Sequence, residues 1–87
     1  MVKCFILTST YGLEVTENAR SYLENLEEVN RGGLIPAPKG SLPEEERLRN
    51  SVNIYCVPDD FDFRVLKSYR DVNIWILGPG GEPHEIK

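Results

Sequence analysis

The amino-acid sequence predicts a small α/β domain, with helices on both faces of a mostly parallel sheet of three strands. Three short apolar runs, at residues 2–8, 52–57 and 72–77, have the β-branched and aromatic content of strands. Helical patterns occupy the segments between them, and each segment is long enough for a parallel crossover. The predicted order along the chain is β-α-α-β-α-β, and the predicted strand order in the sheet is 2-1-3. A split arrangement with one antiparallel strand is the alternative.

The first strand is predicted to be the central one. Residues 2–8 are apolar on both faces, and Lys3 is the only charged residue among them. Such a pattern indicates cover on both sides of the sheet, which is typical of a central parallel strand. The two later strands share a Val-Asn-Ile-aromatic pattern. We expect them at the two edges of the sheet, where they would be available to pair with a second chain.

Helical spacing of apolar residues predicts the longest helix between Thr16, as N-cap, and Gly32-Gly33, as the stop signal. Its apolar stripe consists of Ala19, Tyr22, Leu23, Leu26 and Val29. Two prolines and a glycine predict a loop within residues 34–42. A short second helix follows, because Ser41 and Glu44 have the spacing of a capping box.

Length and composition indicate a single domain, residues 1–87, with a flexible tail at 82–87. The formal net charge of −4 disfavours nucleic acid as a partner, because phosphate backbones require a basic surface. No apolar run is long enough to span a membrane, and the N-terminus lacks the pattern of a signal peptide. We therefore expect a cytoplasmic protein that binds neither nucleic acid nor membranes.

The cysteine and histidine content disfavours a metal site and nucleophilic catalysis. Cys4 and Cys56 lie within apolar runs and outside any C-x-x-C pattern. Reduced core thiols are therefore expected, with a disulfide as the alternative. The only histidine, His84, lies in the predicted tail, where it would not be held beside a nucleophile such as Ser9. The sequence thus predicts no catalytic residue, no metal and no cofactor.

The predicted topology also defines a candidate ligand site. In a parallel sheet the carboxyl ends of the strands meet at one edge, where hydroxyls, carboxylates and glycine amides would surround a small anionic ligand. The residues expected there are Ser9, Thr10, Tyr11, Gly12, Asp59, Asp60 and Gly80. None of these segments matches a phosphate-binding glycine motif. Asp59 or Asp60 is more simply explained as the cap of a third helix.

Negative charge is concentrated in the longest predicted helix. Residues 14–28 contain five glutamates and one arginine, and so have the same net charge as the whole chain. The glutamates expected to face a basic partner are Glu17, Glu24, Glu27 and Glu28. A solvated helix face is the simpler explanation of these residues.

These features favour a small acidic protein that acts by binding another macromolecule, as a regulator or inhibitor, or by self-association. The alternative is a nucleotide- or phosphate-binding domain, including a small dimeric enzyme with its site at the carboxyl ends of the strands. A structural subunit of a larger assembly is a third interpretation. The absence of a credible catalytic arrangement makes the first hypothesis the one that the sequence favours.

Overall fold

The computed structural model describes residues 2–86, in which three helices accompany a single five-stranded sheet. The strands are β1 (Val2–Thr8), β2 (Asn30–Pro36), β3 (Ser51–Pro58), β4 (Asn73–Leu77) and β5 (Pro83–Ile86). The helices are α1 (Glu17–Glu24), α2 (Glu44–Arg49) and α3 (Arg64–Lys67), and a 3-10 turn (Leu13–Thr16) precedes α1. The strands lie in the order β2-β3-β1-β4-β5, and every neighbouring pair is antiparallel.

The prediction of an α/β domain with a three-stranded, mostly parallel sheet is therefore wrong. β1 lies between β3 and β4, but it pairs antiparallel with both. Long connections permit a parallel crossover without requiring one, so connection length alone does not determine strand direction. β3 and β4, which were expected at the edges, are interior strands, and the edges are β2 and β5.

The two edge strands occupy segments for which the sequence predicts other structures. β2 begins at Asn30, inside the longest predicted helix, and pairs with β3 through a β-bulge between Arg31 and Gly33. Gly33 has a φ of 106°, which glycine adopts at no steric cost. The glycine pair that indicated a helix stop therefore belongs to a bulged strand. β5 lies within the predicted tail at 82–87, of which Lys87 lies outside the described residues.

The helices are shorter than predicted, and their expected caps do not form. α1 ends at Glu24, and a turn over residues 25–29 leads into β2. The Thr16 hydroxyl donates to the Leu13 carbonyl oxygen at 2.7 Å instead of capping α1. The Ser41 hydroxyl likewise donates to the backbone carbonyl three residues earlier, so it makes no capping box with Glu44. These hydroxyl groups stabilise the turns before the helices instead.

The face of the sheet that carries α1 and α3, the helix-covered face, has the larger core. Its buried residues are Phe5, Leu7, Ala19, Leu23, Tyr55, Val57, Leu66 and Ile74. The Phe5 ring lies 5.1 Å from the Phe63 ring, edge to face, and 6.4 Å from the Phe61 ring. This aromatic cluster packs the loop between β3 and α3 onto the sheet.

The opposite face of the sheet has a smaller core at one end only. Ile6 and Val52 are buried there beneath Ala37 and Leu42, which belong to the connection between β2 and α2. At the same end, the Trp75 indole N–H donates a hydrogen bond to the Thr8 hydroxyl oxygen at 2.7 Å. At the other end the same face carries Cys4, Cys56 and Leu77, which are only half-buried.

Cys4 and Cys56 form a disulfide bond, so the expectation of reduced core thiols is wrong. The two residues lie directly opposite each other in the β1–β3 register, with their Cα atoms 4.0 Å apart. They are separated by 52 residues of sequence. Their proximity depends on how β1 and β3 pair, and no local sequence pattern reveals that pairing.

Within residues 2–86, no helix has the length and apolar character needed to cross a membrane. The predicted cytoplasmic location stays a prediction.

Candidate functional site

The antiparallel topology separates the residues that were expected to form one ligand site. β1 begins opposite Pro58 and ends opposite Asn73, so the sheet has a Val2 end and a Thr8 end. The segment Ser9 to Gly12 follows β1 at the Thr8 end. Asp59 and Asp60 follow β3, and Gly80 follows β4, at the Val2 end. The structure therefore does not bring the three predicted segments together.

At the Thr8 end, the residues after β1 form a tight turn. Ser9 is fully buried, and its hydroxyl oxygen accepts a hydrogen bond from the Tyr11 N–H at 3.1 Å. Thr10 and Tyr11 are exposed. The Leu13 N–H, which comes just after Gly12, donates to the Glu46 carboxylate at 2.8 Å. A carboxylate thus lies where a bound phosphate would be expected, and it would repel an anion.

At the Val2 end, Asp59 and Asp60 are exposed and do not cap α3. The Phe61 N–H donates to the Pro58 carbonyl oxygen at 3.0 Å, so the two aspartates occupy the corners of a turn. Asp62 lies closer to the start of α3, and its carboxylate accepts a hydrogen bond from the Arg64 N–H at 3.0 Å. The explanation of Asp59 or Asp60 as a helix cap is therefore wrong.

A groove lies beside these aspartates on the helix-covered face. It runs between the turn after α1 and the loop between β3 and α3, and its volume is about 440 Å³. Its lining residues are Tyr22, Leu26, Glu28, Pro58, Asp60, Phe61, Asp62 and Val65. We call it the acidic groove, because three acidic residues line it together with apolar and aromatic residues. Glu28 and Asp60 come from two separate predicted sets, the partner-binding glutamates and the ligand-binding residues.

The carboxylates of the acidic groove differ in how they are neutralised. Asp62 forms an ion pair with Arg64, with 2.9 Å between carboxylate oxygen and guanidinium nitrogen. The hydrogen bond from Arg64 holds the pKa of the Asp62 carboxyl below its ordinary value. Within residues 2–86, Glu28 and Asp60 form no ion pair with a basic side chain. These two are therefore the carboxylates available to a cation.

The backbone adds to the negative potential of this region. α1 ends close to the acidic groove, and no basic residue lies in its last turn. The carbonyl groups at the end of a helix carry a partial negative charge, which a nearby cation would stabilise. Glu27 and Asp59, exposed beside the groove-lining residues Glu28 and Asp60, have the same sign. The arrangement favours a cationic group at this end of the molecule.

The remaining predicted glutamates are placed differently. Glu17 lies in the first turn of α1, away from the groove. Glu24 is engaged within the fold, because it accepts a hydrogen bond from the Tyr55 hydroxyl at 2.8 Å and lies 3.4 Å from the Arg31 guanidinium. Burial, and then the interaction with Glu24, raise the pKa of Tyr55 to about 12. Glu24 is therefore less available to a partner than Glu28.

Sequence reasoning missed the apolar part of the groove. Tyr22 and Leu26 were assigned to the buried stripe of a long helix, but α1 ends between them and both are only half-buried. Phe61 and Phe63 are two residues apart, a spacing that does not fit one helical stripe. Both lie before α3 and pack against each other with ring centroids 5.2 Å apart. That spacing was the one signal in the sequence that these two rings lie outside the helix.

His84 is exposed on β5, and its nearest acidic group is Glu82, at 3.7 Å. No group of three or more histidine, cysteine or acidic side chains within residues 2–86 is arranged to hold a metal ion. Comparison of the chain with protein-family models, with curated proteins and with solved structures finds no match.

Proposed function

We propose that this protein binds a basic segment of another protein in the acidic groove, and acts as a regulator or inhibitor of that partner. The observation that carries the proposal is the position of Glu28 and Asp60. These two carboxylates lack a basic partner within the described chain, and they lie at the same apolar groove although 32 residues separate them in sequence. The groove thus offers charge and apolar surface together.

The chemistry of the groove favours lysine or arginine side chains followed by bulky apolar residues. Long basic side chains bury their methylene stems against apolar surface while their charged heads stay near water. Tyr22, Leu26 and Phe61 provide such surface, and Glu28 and Asp60 lie at the same groove. A guanidinium or ammonium group would therefore gain both a packing surface and a counter-charge.

The nucleotide- or phosphate-binding alternative has less support. Its predicted residues lie at opposite ends of the sheet, and Glu46 accepts the hydrogen bond of the Leu13 amide. Asp60 lies at the same groove as Glu28 and Asp62, so a phosphate there would meet several acidic residues, and the neighbouring Arg64 is already paired with Asp62. We therefore base the proposal on a basic partner.

The proposal is tested by titrating the protein with a synthetic peptide in which lysine and leucine alternate. We expect NMR shift changes at the groove residues and an affinity that weakens with salt, since surface electrostatics are screened. The double variant Glu28→Gln/Asp60→Asn should bind the peptide about tenfold more weakly. Affinity is measured by calorimetry.

The matched control is Glu14→Gln/Glu45→Gln. It also removes two negative charges, but from exposed residues at the Thr8 end of the sheet. Glu14 lies in the 3-10 turn after β1, and Glu45 lies in α2, whose Glu46 accepts a hydrogen bond from the Leu13 N–H. The control should bind the peptide with nearly unchanged affinity. Equal weakening in the two double variants would contradict the proposal, because it would show that only the net charge of the molecule matters.

A further inference from the structure

The Cys4–Cys56 disulfide lies at the same end of the sheet as the acidic groove, on the opposite face. Cys56 comes shortly before Pro58, which lines the groove, and it pairs across the sheet with Asn30. Asn30 directly follows the turn that carries Glu28. Both walls of the groove are therefore attached to the piece of β3 that the disulfide links to β1.

The ladder between β2 and β3 is irregular beside this bond. The bulge between Arg31 and Gly33 interrupts the pairing of β2 with β3 one step from Cys56. At Gly32 a side chain would contact Ile54 and the Cys56 sulfur, so the backbone of β2 lies directly against the disulfide. Since a bulge leaves its extra residue unpaired, fewer ladder hydrogen bonds hold β2 beside Cys56 than would hold a regular strand.

The disulfide is also open to attack. Both cysteines are half-buried, whereas the core of the same face lies at the Thr8 end. Cys4 lines an open cavity of about 530 Å³ together with Val2, Leu77 and Pro79. Because Cys4 lies at this open cavity, we expect a dithiol to approach it without prior unfolding of the domain.

We propose that the Cys4–Cys56 disulfide is a redox switch for the acidic groove, and that its reduction releases the basic partner. A thiolate of an external dithiol attacks the Cys4 sulfur, the Cys4–Cys56 bond breaks, and Cys56 leaves as a thiolate that takes up a proton. The second thiol of the reductant then attacks the mixed disulfide and releases Cys4. The reductant loses two electrons and becomes a disulfide, and the protein gains two thiols.

This inference rests on the proposed function, and the test separates the two. The lysine–leucine peptide is titrated into oxidised protein, into protein reduced with dithiothreitol, and into the variant Cys4→Ser/Cys56→Ser. Alkylation and mass measurement give the fraction reduced. We expect the reduced protein and the variant to bind the peptide about tenfold more weakly than the oxidised protein.

Amide hydrogen exchange provides the readout that distinguishes local loosening from unfolding. Reduction should accelerate exchange at Val57 and at Phe61, whose N–H donates to the Pro58 carbonyl oxygen, more strongly than at Leu7 and Thr8, where any acceleration reports only the lower stability of the whole domain. If the serine variant does not fold, reduced wild-type protein and Cys4→Val/Cys56→Ala replace it. Equal acceleration at these two pairs of amides would overturn the inference, because reduction would then act only through the stability of the whole fold and not on the groove.

The binding results separate the two proposals. Binding by the oxidised protein that changes less than about twofold on reduction overturns the switch and leaves the proposed function intact. Absence of binding by the oxidised protein overturns the proposed function, and the switch with it.

Discussion

At the scale of single residues, Glu24 and Glu46 join segments that are distant in sequence. Glu46 accepts a hydrogen bond from the Leu13 N–H across 33 residues, and Glu24 accepts one from the Tyr55 hydroxyl across 31 residues. A carboxylate that is already hydrogen-bonded within the fold gains less from a new cation than a free one does. The count of glutamates along the chain therefore overstates the number available to a partner, and the proposed binding surface depends mainly on Glu28 and Asp60.

Tyr55 gives a prediction for alkaline pH. Its pKa of about 12 in the folded protein lies above the value of 10.0 expected when it is unfolded, chiefly because the side chain is buried. The folded state therefore keeps the phenol proton to higher pH. Its contribution to stability is complete below about pH 10 and is lost as the pH rises through about 12.

We expect the free energy of unfolding of the wild-type protein to fall between about pH 10 and pH 12. The variant Tyr55→Phe, which is less stable at neutral pH, should lack this additional decrease. Urea unfolding at a series of pH values measures both. The control is Tyr11→Phe at the exposed Tyr11, which should behave like the wild type. Parallel pH curves for wild type and Tyr55→Phe would show that the prediction is wrong.

At the scale of elements, β1 and β3 form the centre of the molecule. β1 contributes Phe5 and Leu7 to the helix-covered face and Ile6 to the opposite face, so both cores depend on one strand. β3 likewise contributes Tyr55 to the core of the helix-covered face and Val52 to the core of the opposite face. The disulfide thus cross-links the two strands on which both cores depend.

The disulfide gives a prediction about stability. Closing a loop of this length lowers the entropy of the unfolded chain, which corresponds to about 4 kcal/mol of stabilisation at 25 °C. A domain of this size has a total stability on the order of 5–10 kcal/mol, so the bond supplies a large part of it. We expect Cys4→Ser/Cys56→Ser to lower the free energy of unfolding in urea by up to about 4 kcal/mol.

Wild-type protein kept reduced should unfold at nearly the same urea concentration as the serine variant. This agreement would show that loss of the bond, and not the serine substitutions, lowers the free energy of unfolding. A loss below about 1 kcal/mol would contradict the prediction. It would indicate that the unfolded chain retains enough structure near β1 and β3 to make the cross-link redundant.

At the scale of the whole molecule, local patterns predicted the positions of strands but not their directions. The runs at 2–8, 52–57 and 72–77 became β1, β3 and β4, because apolar content is a local property. β2 contains a glycine pair and is mostly exposed, and β5 is short and partly polar, so neither has a strand pattern. Strand direction depends on pairing between distant segments, which one sequence does not reveal.

The candidate site was likewise predicted only in part. Glu28 and Asp60 were each named from the sequence, one for its helix and the other for its position after a strand. Their position at one groove depends on the early end of α1 and on antiparallel pairing of β1 with β3. The sequence therefore indicated these two acidic residues of the groove, but neither its apolar lining nor its geometry.

The distribution of charge over the whole molecule leads to a kinetic prediction. The net charge is only −4, but unpaired carboxylates from two segments lie together at the Val2 end. A local field of this kind steers an oppositely charged ligand during diffusion, and salt screens the steering. We expect the association rate constant of the lysine–leucine peptide to fall about tenfold between about 0.02 M and about 0.5 M salt.

Stopped-flow measurements at several salt concentrations test whether the field is local. Glu28→Gln/Asp60→Asn should show a much shallower dependence of the association rate on salt. Glu14→Gln/Glu45→Gln has the same net charge as that variant and should keep the wild-type dependence, because its substitutions lie near the Thr8 end. If the two variants had equal salt dependence, the steering would come from the net charge, and the acidic groove would have no special part in the encounter.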